Sequence, residues 1–198
     1  MKKNLFSLGA FGMIAMLVAC SSTPAGYTVK GTLPDSTMNG KTLYILNVDK
    51  GECVDSTIVN GNTYVFEGKA DTALVAGISA NGRNSLAVFA LENGNVTIAE
   101  DVNTSGTPQN DELTRVTALL DSVNSAYYKA AEAFEGSREE WATVYENEWV
   151  PRFKEQVLEA YKNHKDDVVG YVLTQFTTIL TPAEQLELMN GFGPWLSA

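Results

Sequence analysis

Few side chains in this 198-residue chain are of a type that does chemistry: two cysteines, one histidine, and a surplus of carboxylates. The most specific pattern stands at the start. Lys2 and Lys3 precede an apolar stretch, Leu5 to Val18, that is too short to cross a bilayer and ends in Leu17-Val18-Ala19-Cys20. Charge, apolar core, small residues and cysteine in that register resemble a bacterial lipobox, in which the cysteine takes a diacylglyceryl thioether. The acyl chains would then hold the protein by apolar burial, worth about 0.8 kcal/mol per CH₂. Residues 1–19 are therefore expected to be a lipoprotein signal peptide and 20–26 a lipidated tether. Cys20 is the lipidation site, with the membrane as partner. The expected location is a Gram-negative cell envelope, at the outer membrane facing the periplasm.

With Cys20 taken by lipid, Cys53 is left alone, so the mature chain has neither an internal disulfide nor a CxxC pair. A lone thiol in an oxidising compartment is expected to be a small buried hydrophobe. The segment Asp101 to Glu112 places Asp101, Asn103 and Ser105 at loop positions one, three and five, Gly106 at six and Glu112 at twelve. That is the oxygen-donor register of an EF-hand calcium loop. Against it stand a preceding strand instead of a helix, and Pro108 where a branched apolar residue belongs. The competing reading is a strand-to-helix turn with Thr107 as N-cap, Pro108 at N1 and acids in the first turn. His164, the only histidine, lies near a helix end beside Lys162 and Lys165, where a cation complements the dipole on a solvated surface. Glu92 and Asp55 sit at unusual places for carboxylates but have no evident partner. No catalytic residues, cofactor or resident metal are assigned, and phosphate-loop and dinucleotide fingerprints are absent.

The formal charge is −10, and losing Lys2 and Lys3 with the leader moves it to −12. Such a surface argues against nucleic acid as a partner, because that affinity is built by Lys and Arg neutralising phosphates.

Two periodicities position these residues. From Tyr27 to about Asp101 the pattern has period two and is rich in β-branched and aromatic residues. It predicts about seven strands: Tyr27 to Leu33, Thr42 to Val48, Cys53 to Val59, Thr63 to Glu67, Thr72 to Ser79, Ser85 to Leu91 and Asn95 to Ala99. Asn93-Gly94 is read as a hairpin turn joining the last two. From Thr107 the period becomes 3.6. Leu113, Val116, Leu120, Val123, Tyr127, Ala130 and Phe134 form one helix stripe that stops at Gly136. Ser137 to Glu140 is a capping box for a second helix, with stripe Trp141, Tyr145, Trp149, Phe153 and Val157 and an expected kink at Pro151. Asp166 or Asp167 caps a third helix carrying Val169, Leu173, Phe176 and Leu180. Thr181 to Glu184 caps a fourth, ended by Gly191. The expected fold is α+β: an antiparallel β-sandwich or partly open barrel over residues 27–106, then three to four helices over 107–190 packed on it or on themselves. Residues 191–198 are expected to be a linker toward a C-terminal domain.

The segments "YTVKGTL", "KTLYILNVDKGECVDSTIVNGNTYVFEGKA", "FALENGNVTI" and "SGTPQNDEL", in this order, resemble an N-terminal domain family of unknown function. It occurs in envelope lipoproteins of the TlpA/ResA-like thiol-disulfide oxidoreductase type. The resemblance runs from about Tyr27 to Leu188 and is most specific at Asp55-Ser56, Gly61, Phe66 to Gly68 and Glu92 to Gly94. It implies a downstream thioredoxin-like domain as partner, with the redox CxxC carried there. The function so implied is that of a non-catalytic anchoring or accessory domain. The alternative is a stand-alone envelope lipoprotein acting as a binding or structural module.

Overall fold

A computed structural model describes residues 24–174, 179–191 and 193. Cys20, Phe176 and most of the 191–198 segment lie outside the described residues. The chain forms β1 (Tyr27–Thr32), β2 (Thr42–Asn47), β3 (Glu52–Ile58), β4 (Thr63–Gly68), β5 (Leu74–Ser79), β6 (Ser85–Leu91), β7 (Gly94–Ile98) and a two-residue β8 (Thr104–Ser105). Helices follow: α1 (Pro108–Glu132), α2 (Arg138–Val144), a π-helical turn (Tyr145–Trp149), α3 (Val150–Asn163), α4 (Val168–Leu173) and α5 (Pro182–Asn190). The α+β class is as the two periodicities require.

The strands make two four-stranded sheets, ordered β4-β1-β7-β8 and β3-β2-β5-β6, and neither closes into a barrel. All pairings are antiparallel except β1 with β7, which run parallel with Val29 opposite Val96. The Asn93-Gly94 hairpin is thus a correction: β6 and β7 belong to different sheets, and the turn carries the chain from one to the other. A type I′ hairpin needs positive φ at both central residues. Here Gly94 has φ 141° while Asn93 is not among the positive-φ residues. Asn93 instead spends its amide on Ala70, accepting from its N–H at 3.0 Å and donating to its carbonyl at 2.8 Å.

Side-chain parity divides the molecule into three layers. Val29, Leu43, Ile45, Phe66, Ala76, Ile78, Phe89 and Val96 face each other between the two sheets. The alternate residues of β5 and β6, Val75 and Ala90, point the other way and meet Leu113, Val116, Val157, Val168 and Leu173 of the helices. Covering both faces of β5 and β6 explains why these strands read as nearly unbroken apolar runs.

The expected stripe of α1 is buried at Leu113, Val116 and Leu120 only. Beyond it the helix runs past the sandwich, and Tyr127 meets the rings of Trp141, Tyr145, Trp149 and Phe153 with centroids 5.5–6.2 Å apart. The Ser137 capping box forms, with Glu140 N–H donating to Ser137 Oγ and Ser137 N–H to Glu140 Oε2. The irregularity expected at Pro151 takes the form of the π turn before it, closed by Val150 N–H donating to the Tyr145 carbonyl.

Candidate functional site

The start of α1 is held against the sandwich by polar bonds. Asn110, fully buried, pairs with the backbone of Ala90 as a strand residue would: its Oδ1 accepts from Ala90 N–H at 3.0 Å and its Nδ2 donates to the Ala90 carbonyl at 2.9 Å. The same Nδ2 lies 2.7 Å from Thr107 Oγ1, which is why Thr107, although it stands at the N-cap, makes no side-chain cap bond. Glu92 serves the helix end instead, its Oε1 accepting from Gln109 N–H at 3.2 Å. Gln109 reaches on to α4, where its Oε1 accepts from Val168 N–H.

One turn further along α1, Glu112 meets His164. The expectation of a solvated His164 is overturned: the residue is 8% exposed and lies between two carboxylates. Nδ1 is 2.7 Å from Asp167 Oδ2 and Nε2 is 3.0 Å from Glu112 Oε1. Both contacts are hydrogen bonds only when both ring nitrogens carry protons. Asp167 is also the N-cap of α4, its Oδ1 accepting from Gly170 N–H at 2.9 Å. Glu112 is gripped in addition by Arg115 through a two-pronged contact of 2.6 and 2.7 Å. The Arg115 guanidinium first, and His164 with it, draw the Glu112 carboxyl down to about 2. With both imidazole nitrogens engaged, neither is available as a general base toward a bound molecule. The cluster ties α1, the end of α3 and the start of α4 together. Sequence separation hid it: Glu112 and His164 are 52 residues apart.

The oxygen donors of the calcium register have other partners. Asp101 Oδ2 accepts from Asn103 Nδ2 at 2.8 Å, Ser105 belongs to β8, and Glu112 is engaged as above. Among the described residues no group of three or more His, Cys, Asp or Glu side chains is placed to hold a metal ion. Val102, between Asp101 and Asn103, has φ 63°, the left-handed region that a β-branched side chain disfavours.

A second polar corner joins the sheets at the edge strand β3. Tyr27 Oη donates to Asp55 Oδ2 at 2.9 Å, while Asp55 Oδ1 accepts from Ser56 N–H at 2.7 Å. Burial, then the bond to Asp55, raise the Tyr27 phenol to about 12. Cys53 is exposed, correcting the buried-thiol expectation, and its Sγ lies 3.4 Å from the Asp55 carbonyl. The reason is topological: β3 pairs only with β2, and a bulge between its Cys53 and Asp55 pairings interrupts the alternation. Gly31 and Gly68 stand directly opposite Tyr64 and Tyr27 across the β1–β4 ladder. A Cβ on Gly31 would sit 2.3 Å from Tyr64 Oη, and one on Gly68 2.4 Å from Tyr27 Oη. Each glycine is required by the ring that lies over it.

Two open clefts flank α1. One of about 510 Å³ is lined by Asp101, Val102, Thr114, Thr117, Asp121 and Val172 among others. The next, about 370 Å³, is lined by Asp121, Asn124, Tyr127, Tyr128, Tyr145 and Phe153 among others. Among the described residues no helix is long and apolar enough to cross a membrane.

Residues 27–113 match the model of a domain of unknown function, DUF4369. No curated protein and no solved structure matches the chain. The two-sheet sandwich, together with the start of α1 that Asn110 pins to β6, is a DUF4369 domain of unknown function.

Proposed function

We propose that the chain is the non-catalytic anchoring and accessory portion of an envelope thiol-disulfide oxidoreductase lipoprotein, tethered through Cys20. The observation that carries this reading is the DUF4369 match over the segment whose residues resemble the domain found ahead of a thioredoxin-like module. The bonding of the polar side chains supports it. His164, Glu112, Asp167, Asp55 and Asn110 are all committed to holding elements together. With Cys20 taken by lipid in this reading, Cys53 has no second thiol among residues 20–198 with which to cycle through an intramolecular disulfide.

The coding sequence downstream of Ala198 tests the reading directly. A thioredoxin-like module with Trp-Cys-x-x-Cys is expected there, and a stop codon would overturn it. Purified protein of these 198 residues should not raise the rate of insulin reduction above that of the thiol reductant alone. Radiolabelled palmitate should enter the wild type and not a Cys20→Ser variant, which should move from the membrane fraction to the soluble one.

A second reading, a stand-alone binding module, is favoured by the clefts along α1, where the Asp121 carboxylate has no hydrogen bond or ion pair among the described residues.

A further inference from the structure

The two clefts beside α1 have Asp121 in common and so adjoin along the helix, and together they are taken as one groove. Its α1 wall is the row Leu113, Thr117, Asp121, Asn124 and Tyr128, spaced three or four residues apart and hence on one helix face. From Leu113 to Tyr128 that row spans roughly 22 Å at about 1.5 Å per residue. An extended peptide of about seven residues covers this length at about 3.3 Å per residue. Neither half of the groove is lined by a lysine or arginine among the described residues, while Asp101 and Asp121 both face it. The Asp121 carboxylate has no hydrogen bond or ion pair among the described residues, although the fold satisfies its other well-placed acids, Asp55, Asp167 and Glu112, with partners. The same cleft is lined by Asn124, by Tyr127 and by Tyr128, the latter 59% exposed. A carboxylate beside tyrosine faces is a receptor for an ammonium or guanidinium group on an aliphatic stem: the charge pairs with the acid and the cation lies over the ring. At the other end, Val102 at φ 63° and 52% exposure presents an apolar wall next to Val88 and Val172.

We propose that this groove binds an extended peptide segment that alternates basic and aliphatic side chains, with a Lys or Arg seated between Asp121 and Tyr128. Charge complementarity selects the occupant: an acidic segment would meet two carboxylates and, among the described lining residues, no cation. A small ammonium ion would fill the aromatic end alone and leave the Val88–Val102–Val172 wall bare. The proposal is independent of whether the chain serves a redox module.

The test is fluorescence anisotropy of the full chain with fluorescein-labelled Gly-Lys-Val-Lys-Val-Lys-Gly. The counterpart with Glu in place of each Lys is run beside it. Saturable binding of the Lys peptide in the micromolar to sub-millimolar range is expected, with none by the Glu peptide. Asp121→Asn and Tyr128→Ala should each weaken binding about tenfold, whereas Glu67→Gln, on the exposed edge strand β4 of the other sheet, should leave it within twofold. Circular dichroism of each variant should match the wild type, since Asp121 and Tyr128 are exposed. No binding at 1 mM peptide overturns the proposal. So does an Asp121→Asn effect no larger than that of Glu67→Gln, which would mean general attraction to an acidic protein. Displacement by tetramethylammonium at the same concentration as the Lys peptide would assign the aromatic end to a small cation and overturn the peptide reading.

Discussion

Gly31 and Glu112 show how single residues set what the chain tolerates. At Gly31 the Tyr64 ring lies where a side chain would go, and the Ile98 carbonyl is 2.9 Å from the same point. Backbone cannot yield there as a flexible side chain would. Gly31→Ala is expected to cost about 1–3 kcal/mol, the usual range for overpacking. Urea unfolding should show this as a lower midpoint at an unchanged m-value. Glu112 sets an acid limit. Its carboxyl titrates near 2 in the folded state against an ordinary value of 4.5, so it favours folding wherever it is ionised. A depressed folded pKa contributes stability that is complete above about 4.5 and is lost as the pH falls toward 2. Glu184 behaves in the same sense, drawn to about 2 by Lys154 and the Thr181 cap. The melting temperature should therefore fall steeply between pH 4.5 and 2. Glu112→Gln should flatten that slope without abolishing it, and calorimetry across the range decides. Neither role was legible beforehand. A glycine opposite a tyrosine is visible only once register is known, and Glu112 shows in the sequence only a calcium-loop spacing, while its partner His164 lies 52 residues away.

At the scale of elements, the sequence is informative wherever the signal is local. The seven long strands and the capping boxes at Ser137 and Thr181 are written in period-two alternation and in side chains three residues apart. The second helix's stripe carries a further clue. Trp141, Tyr145, Trp149, Phe153 and Val157 are each four apart, and in an ideal α-helix five such positions drift by about 160°. A π turn adds a residue without adding a turn and returns about 100° of that drift. The turn at Tyr145–Trp149, just before Pro151, is thus implied by the spacing of the rings as well as by the proline. What local signals could not give is which strands pair: the Asn93-Gly94 dipeptide looks like a hairpin but crosses between sheets. Nor could they show that Asn110, one polar residue on α1, would pair with the backbone of β6. Asn110→Ala removes both partners of Ala90 in a buried site, and each group so stranded costs about 1–3 kcal/mol. Thermal unfolding should register the loss. The amide of Ala90 should exchange far faster in the variant, while the amides of β1 and β4, in the other sheet, should be little changed.

The whole molecule is a sandwich with a helical layer on the outer face of one sheet, and its cooperativity depends on how these layers are joined. Two apolar clusters lie on opposite faces of β5 and β6, one between the sheets and one beneath the helices. The second is sealed largely by helices close in sequence, so its opening strands fewer long-range strand pairings than opening the first would. The polar ties across the boundary gather at the start of α1: Asn110 to Ala90, Glu92 to Gln109, Thr104 to Thr114 and to the Asn110 carbonyl, and Gly106 to Asp111. Such an arrangement favours sub-global opening of the helical layer over a sandwich that stays folded. Leu173, 1% exposed in the helix-side cluster, reports on this. Leu173→Ala should cost about 2–5 kcal/mol, as large-to-small changes in cores do. Native-state hydrogen exchange should then speed up in α1, α3 and α4 by the full amount, and in β1 and β4 by much less. Equal acceleration in all strands and helices would mean that sandwich and helices unfold as one unit, and that the polar ties at Asn110, Glu92 and Thr104 couple the layers more strongly than their number implies.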